Sequence, residues 1–177
     1  MSPKRKPTGP ISKRRCAISK SLRSRITLWR RLGPVSANDL MRPSDIRSGF
    51  DTSVLMRLLV GEPEALFKQA TAYLADTQKL RKRILISNLV ICEAYFACQH
   101  HYQMPKHLTL RGLHQLFSKS VFEIEEGVLS LIGTRGMERA KPGFVDRLIH
   151  SEYIKQGVGM VTCEKAASKL INVDILK

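Results

Sequence analysis

Short apolar runs alternate along this chain with longer segments whose apolar residues recur at helical spacing, and few folds accommodate that alternation. Ile84-Leu85-Ile86 is a compact apolar run, the mark of a buried strand. Val121-Phe122-Glu123-Ile124 is a second run, Gly157 to Thr162 reads as a turn and a strand, and Val173-Asp174-Ile175-Leu176 as a closing strand. Between them lie expected helices: Thr52 to Val60, then 64–82 after the break at Gly61-Glu62-Pro63, and 88–101 behind a capping Ser87. Further helices are expected at 107–118, from about 125, from Lys141-Pro142-Gly143 to about 155, and at 164–170. Strands separated by helices pair in parallel, and the helices cover both faces of the sheet. The expected fold class is α/β, a three-layer α/β/α sandwich around a mostly parallel central sheet. There is no internal repeat and no Gly-rich phosphate loop, and Gly157-Val158-Gly159 is too short for a dinucleotide fingerprint.

The 177 residues suit one domain and an appendage. Charge separates the two. Residues 1–50 carry 13 Lys and Arg against Asp39 and Asp45, a balance of +11 out of the chain's +15. With Lys4-Arg5-Lys6 and Lys13-Arg14-Arg15 set among Pro, Gly and Ser, residues 1–45 cannot bury enough surface to offset chain entropy. They are expected to be a basic, disordered extension, with a short basic helix possible at 21–32. An organelle transit peptide, or a start placed upstream of a true one at Met41, fits the same composition. Residues 46–177 form the expected folded domain. No run approaches the roughly 18 apolar residues of a membrane-spanning helix, so a soluble protein with no membrane partner is expected. Cys16, Cys92, Cys98 and Cys163 form no C-x-x-C pair; reduced thiols in a cytoplasmic protein are the expectation.

Four acids stand at strand ends or on apolar helix faces. Asp51 precedes the first apolar helix, and Glu164 follows Val161-Thr162 at a strand-to-helix junction. Asp146 lies in the first turns of the helix opened by Pro142. Each is also locally reasonable as a helix cap or a charge at a helix N-terminus. Glu93 is sharper, because Leu89, Val90, Phe96 and Ala97 share its helix face. A carboxylate inside a buried stripe is expected to need a cation, either an internal Arg or Lys or a metal. Ligands in open α/β sheets collect at the carboxyl ends of strands. Carboxylates converging there without basic partners repel, and a hard divalent cation such as Mg²⁺ or Mn²⁺ relieves the repulsion. His100 and His150, at i+7 from Glu93 and i+4 from Asp146, are within reach of such a site, although packing roles are the commoner fate of such residues.

Four ordered segments resemble the PIN-domain family, in particular the VapC-type toxins of toxin–antitoxin pairs. They are Asp51-Thr52-Ser53-Val54-Leu55 with Arg57-Leu58-Leu59, Ile86 to Glu93, Gly143-Phe144-Val145-Asp146 with Leu148-Ile149, and Val161-Thr162-Cys163-Glu164-Lys165-Ala166. Three departures are visible: Arg47-Ser48-Gly49-Phe50 is polar for a first strand, Glu164 stands where the family carries an aspartate, and residues 1–45 have no counterpart in the family. The resemblance implies a Mg²⁺- or Mn²⁺-dependent endoribonuclease, the toxin of a toxin–antitoxin pair. Asp51, Glu93 and Asp146 would be the core metal ligands, Glu164 would take a fourth acidic position, and Ser53 and Thr162 would orient the carboxylates. It also implies a homodimer and a small antitoxin partner. From charge alone, Arg57, Arg81, Lys82 and Arg83 are candidates to position the RNA backbone. The alternative expectation is a weakened PIN-like domain that binds RNA through its basic extension, with salt-sensitive affinity and no metal dependence.

Overall fold

A computed structural model of the chain describes residues 45–176. The expectations for residues 1–44, among them the short helix at 21–32, lie outside the described residues, as does Cys16.

The elements run β1 (Ile46–Gly49), α1 (Thr52–Val60), α2 (Glu64–Lys79), β2 (Arg83–Leu85), α3 (Asn88–His100), α4 (Lys106–Phe117), β3 (Phe122–Glu123), α5 (Val128–Gly133), α6 (Phe144–Lys155), β4 (Met160–Thr162) and β5 (Val173–Ile175). Short 3-10 helices occupy Met137–Arg139 and Lys165–Lys169. Local chemistry sets several boundaries. Asp51 caps α1 and Ser87 caps α3, each accepting a backbone N–H from the first turn. Gly61 ends α1 at φ 78°, a conformation other L-residues adopt only at a cost, and its N–H returns to the Arg57 carbonyl. The helix expected from about 125 begins later, at Val128, behind a left-handed Gly127.

All observed strand pairs are parallel, as the alternation predicts. The strands nevertheless form two sheets among the described residues: three strands in the order β1-β2-β3, and the pair β4-β5. Ser48 pairs with Ile84 and Gly49 with Leu85; Ile84 then pairs with Phe122. β2 is therefore the middle strand of its sheet, and β1 its edge. That placement explains the polar first strand. Arg47 donates from Nη1 to the buried Thr77 Oγ1 at 2.9 Å and lies 4.1 Å over the Tyr73 ring. The Tyr73 hydroxyl donates to Ser48 Oγ at 3.0 Å. α2 thus supplies the partners that a polar edge strand needs.

The core gathers Leu55 and Leu58 of α1, Ile84 and Ile86, Ile91 of α3, Leu113, Leu116 and Phe117 of α4, and Phe144 and Leu148 of α6. Burying each such side chain contributes about 1.5–3 kcal/mol. The core is mostly aliphatic, with Phe117 set edge-on to Phe122 at 6.0 Å. No helix among the described residues is long and apolar enough to cross a membrane.

Candidate active site

β1 delivers Asp51 to the start of α1. Its carboxylate accepts from the Val54 N–H at 3.0 Å and from the Ser53 hydroxyl at 2.9 and 3.1 Å. The Val54 N–H first, and then Ser53, hold the Asp51 carboxyl below its ordinary range, so it stays ionised. Ser53 therefore contacts the carboxylate it was expected to orient.

Glu93 reaches the same place from α3. Its Oε2 accepts from the Thr52 hydroxyl at 2.5 Å, a contact bridging 41 positions of sequence. Thr52 was missed in the sequence; a threonine directly after a capping aspartate gives no signal beyond its hydroxyl. The environment of Glu93 differs from expectation. Glu93 is exposed, and Leu89 and Phe96 on its face are exposed at 78% and 46%. The buried stripe of α3 is Ile91, Ala94, Tyr95 and Cys98 instead. α3 carries apolar residues on two faces, and the core takes the second. The expectation that burial forces a cation onto Glu93 is thereby overturned.

Asp146 occupies the third position of α6, where its Oδ2 accepts from the Gly143 N–H at 3.0 Å. It also lies near α3: burial pushes the Tyr95 phenol up, and the Asp146 charge adds to that push. The Phe144 ring packs 5.1 Å from Tyr95 and fixes the start of α6 against α3.

Glu164 is bonded locally. Its Oε1 accepts from the Ala166 N–H at 3.1 Å, and its own N–H donates to Thr162 Oγ1 at 3.1 Å. Thr162 therefore meets the backbone of Glu164, not a carboxylate. Nothing among the described residues ties Glu164 to the other three acids.

The basic residues are mostly engaged. Arg57 lines a groove of about 600 Å³ between β1, α1 and α2, and its Nη1 donates back to the Glu62 carbonyl at 2.6 Å. Arg83 pairs with Glu123 at 2.9 Å across β2 and β3, leaving it a structural residue rather than an open RNA contact. Arg81 is exposed, in the left-handed region at φ 54°. His150 is buried, its Nε2 2.7 Å from the Ile171 carbonyl, so it ties α6 to the segment before β5. His100 is exposed and stacks on Phe96.

A second polar cluster gave no signal in the sequence. Asn88, the first residue of α3, donates to Glu125 and to Glu152 Oε1, the latter at 2.6 Å. Lys155 donates to Glu125 Oε1 at 2.6 Å and, with help from Asn88, holds that carboxyl low against the opposing effect of burial.

Carboxylate oxygens are the right donors for a hard cation. None of Asp51, Glu93, Asp146 and Glu164 forms an ion pair among the described residues. The donors are not gathered, however: no group of three or more His, Cys, Asp or Glu that could hold a metal ion occurs among the described residues. The set fits a divalent metal in kind, and the Thr52 hydroxyl ties Glu93 to the residue that follows Asp51. Comparison of the chain with protein-family models, curated proteins and solved structures produced no match.

Proposed function

We propose that residues 46–177 are a PIN-like nuclease domain, a three-layer α/β/α sandwich that hydrolyses RNA phosphodiester bonds with Mg²⁺ or Mn²⁺. The observation that carries this reading is the meeting of Glu93 with Thr52, the neighbour of an ionised Asp51, with no described cation to balance either acid. Two carboxylates from distant segments share one edge, at the end of a parallel strand where α/β sheets present their ligands. Asp51 and Glu93 would hold the metal with Asp146, and Glu164 would join directly or through water. A bound divalent cation polarises the scissile phosphate and lowers the pKa of an attacking water. The chain's own contribution is orientation: Ser53 and the Val54 N–H hold Asp51, and Thr52 holds Glu93. In this reading the protein is a cytoplasmic toxin, homodimeric and paired with a small antitoxin.

The local bonding of Asp146 and Glu164 favours one second reading, a weakened site on an RNA-binding protein that uses its basic extension. Calorimetric titration of Mn²⁺ into the full chain, for wild type and Glu93→Gln, separates the two. Binding by wild type that is lost in the variant, with metal-dependent RNA cleavage lost alongside, is the expected result. Absence of Mn²⁺ binding in a folded wild type would falsify the nuclease reading and leave the RNA-binding one.

A further inference from the structure

On α4, His107, Arg111 and His114 recur at i, i+4 and i+7, so they share one helix face. That face borders a cavity of about 240 Å³ whose far wall is the end of α5 and the Thr134–Gly136 loop, with Arg135 on it. Neither Arg111 nor Arg135 has an ion-pair partner among the described residues. Glu138 is the single carboxylate on the wall, and it is engaged: Arg139 Nε pairs with it at 3.2 Å. The backbone N–H groups of Arg135 and Gly136 give to no backbone carbonyl among the described residues, and Gly136 turns left-handed at φ 82°. Turns of this kind present N–H groups to anions. Gly133 packs so closely on His114 that an added Cβ would lie 2.8 Å from the imidazole, so the ring is held at the cavity wall by contact.

Two guanidiniums, two imidazoles and free N–H groups around one cavity call for an anion. The volume is below the roughly 300–1,000 Å³ of pockets that enclose whole small molecules, so a compact group fits and a nucleoside does not. A phosphate has more acceptor oxygens than a carboxylate and can engage two arginine forks and a histidine at once. We propose that the cleft between α4 and the Thr134–Gly136 loop is a phosphate-binding site, separate from the carboxylates of Asp51 and Glu93 and independent of metal.

Calorimetric titration of inorganic phosphate into the full chain tests it, with wild type, Arg111→Ala/Arg135→Ala and, as a control at an exposed cation far from the cleft, Lys68→Ala compared. Both target arginines are exposed, so the double variant keeps its core. The basic N-terminal clusters are common to all three proteins, and only the difference between them reads the cleft. The expected result is saturable binding by wild type and by Lys68→Ala, weakened at least tenfold in the double variant. Equal affinity in the double variant, or no binding by folded wild type, overturns the proposal. Short RNA oligonucleotides with and without a 5′ phosphate then identify the source. A preference for the phosphorylated strand that vanishes in the double variant assigns the cleft to a chain terminus. Equal affinity for both strands, weakened in the double variant, assigns it to the backbone. Retention of phosphate binding by Glu93→Gln keeps this result distinct from the metal reading.

Discussion

Asp51 carries two duties that substitution can part. As the cap of α1 it satisfies an N–H that would otherwise lack a partner, and as a carboxylate it supplies negative charge. Asparagine caps about as well as aspartate, so Asp51→Asn is expected to retain nearly all stability while losing Mn²⁺ binding. Asp51→Ala removes the cap as well and is expected to cost about 1 kcal/mol. Denaturant titration at neutral pH checks both. The pH dependence has a definite sign. The folded carboxyl lies below its ordinary 3.8, so its charge-dependent contribution is present above that value and is lost as pH falls through the lower folded one. The small gap between wild type and Asp51→Asn should therefore close in acid. That Asp51 caps a helix was legible in the residue type and its position before an apolar run. That Thr52 would meet Glu93 was not, because a bridge of 41 positions is set by how α1 and α3 pack.

At the scale of elements, α3 shows how far apolar spacing can mislead. Both Leu89-Val90-Phe96-Ala97 and Ile91-Ala94-Tyr95-Cys98 satisfy helical periodicity, and only packing chooses between them. The consequence is measurable. Ile91→Ala, at a fully buried position, should destabilise by about 2–5 kcal/mol. Leu89→Ala, at a position 78% exposed, should change stability by no more than about 0.5 kcal/mol. Reversal of that order in chemical denaturation would restore Glu93 to a buried stripe. β1 makes the complementary point. Arg47 and Ser48 look wrong for a strand until α2 is laid beside them, with Thr77 and Tyr73 in place as partners.

Across the molecule, burial is uneven. α1, α3, α4 and β2 share one core, whereas Val158, Val161, Ile171 and Leu176 around β4 and β5 remain largely exposed. Segments with few buried apolar groups open at low free energy. Hydrogen exchange followed by mass spectrometry is expected to show residues 158–176 exchanging well ahead of α4; equal protection would mean that the second sheet is held by contacts as strong as those of the core. The same division bears on the candidate site, since Glu164 rides on that second sheet while Asp51 and Glu93 rise from the first. What one dimension carried was the alternation of strand and helix, the parallel sense of pairing, the capping positions and the identity of the acids. Those follow from spacing, residue type and connection rules that act over a few neighbours or a single crossover. What awaited three dimensions was the split into two sheets, the face of α3 that is buried, the engagement of Arg57 and Arg83, and the gathering of Arg111 and Arg135 around one cavity. Each of these depends on competition among distant surfaces for the same buried space, and periodicity along a single chain does not record which surface wins.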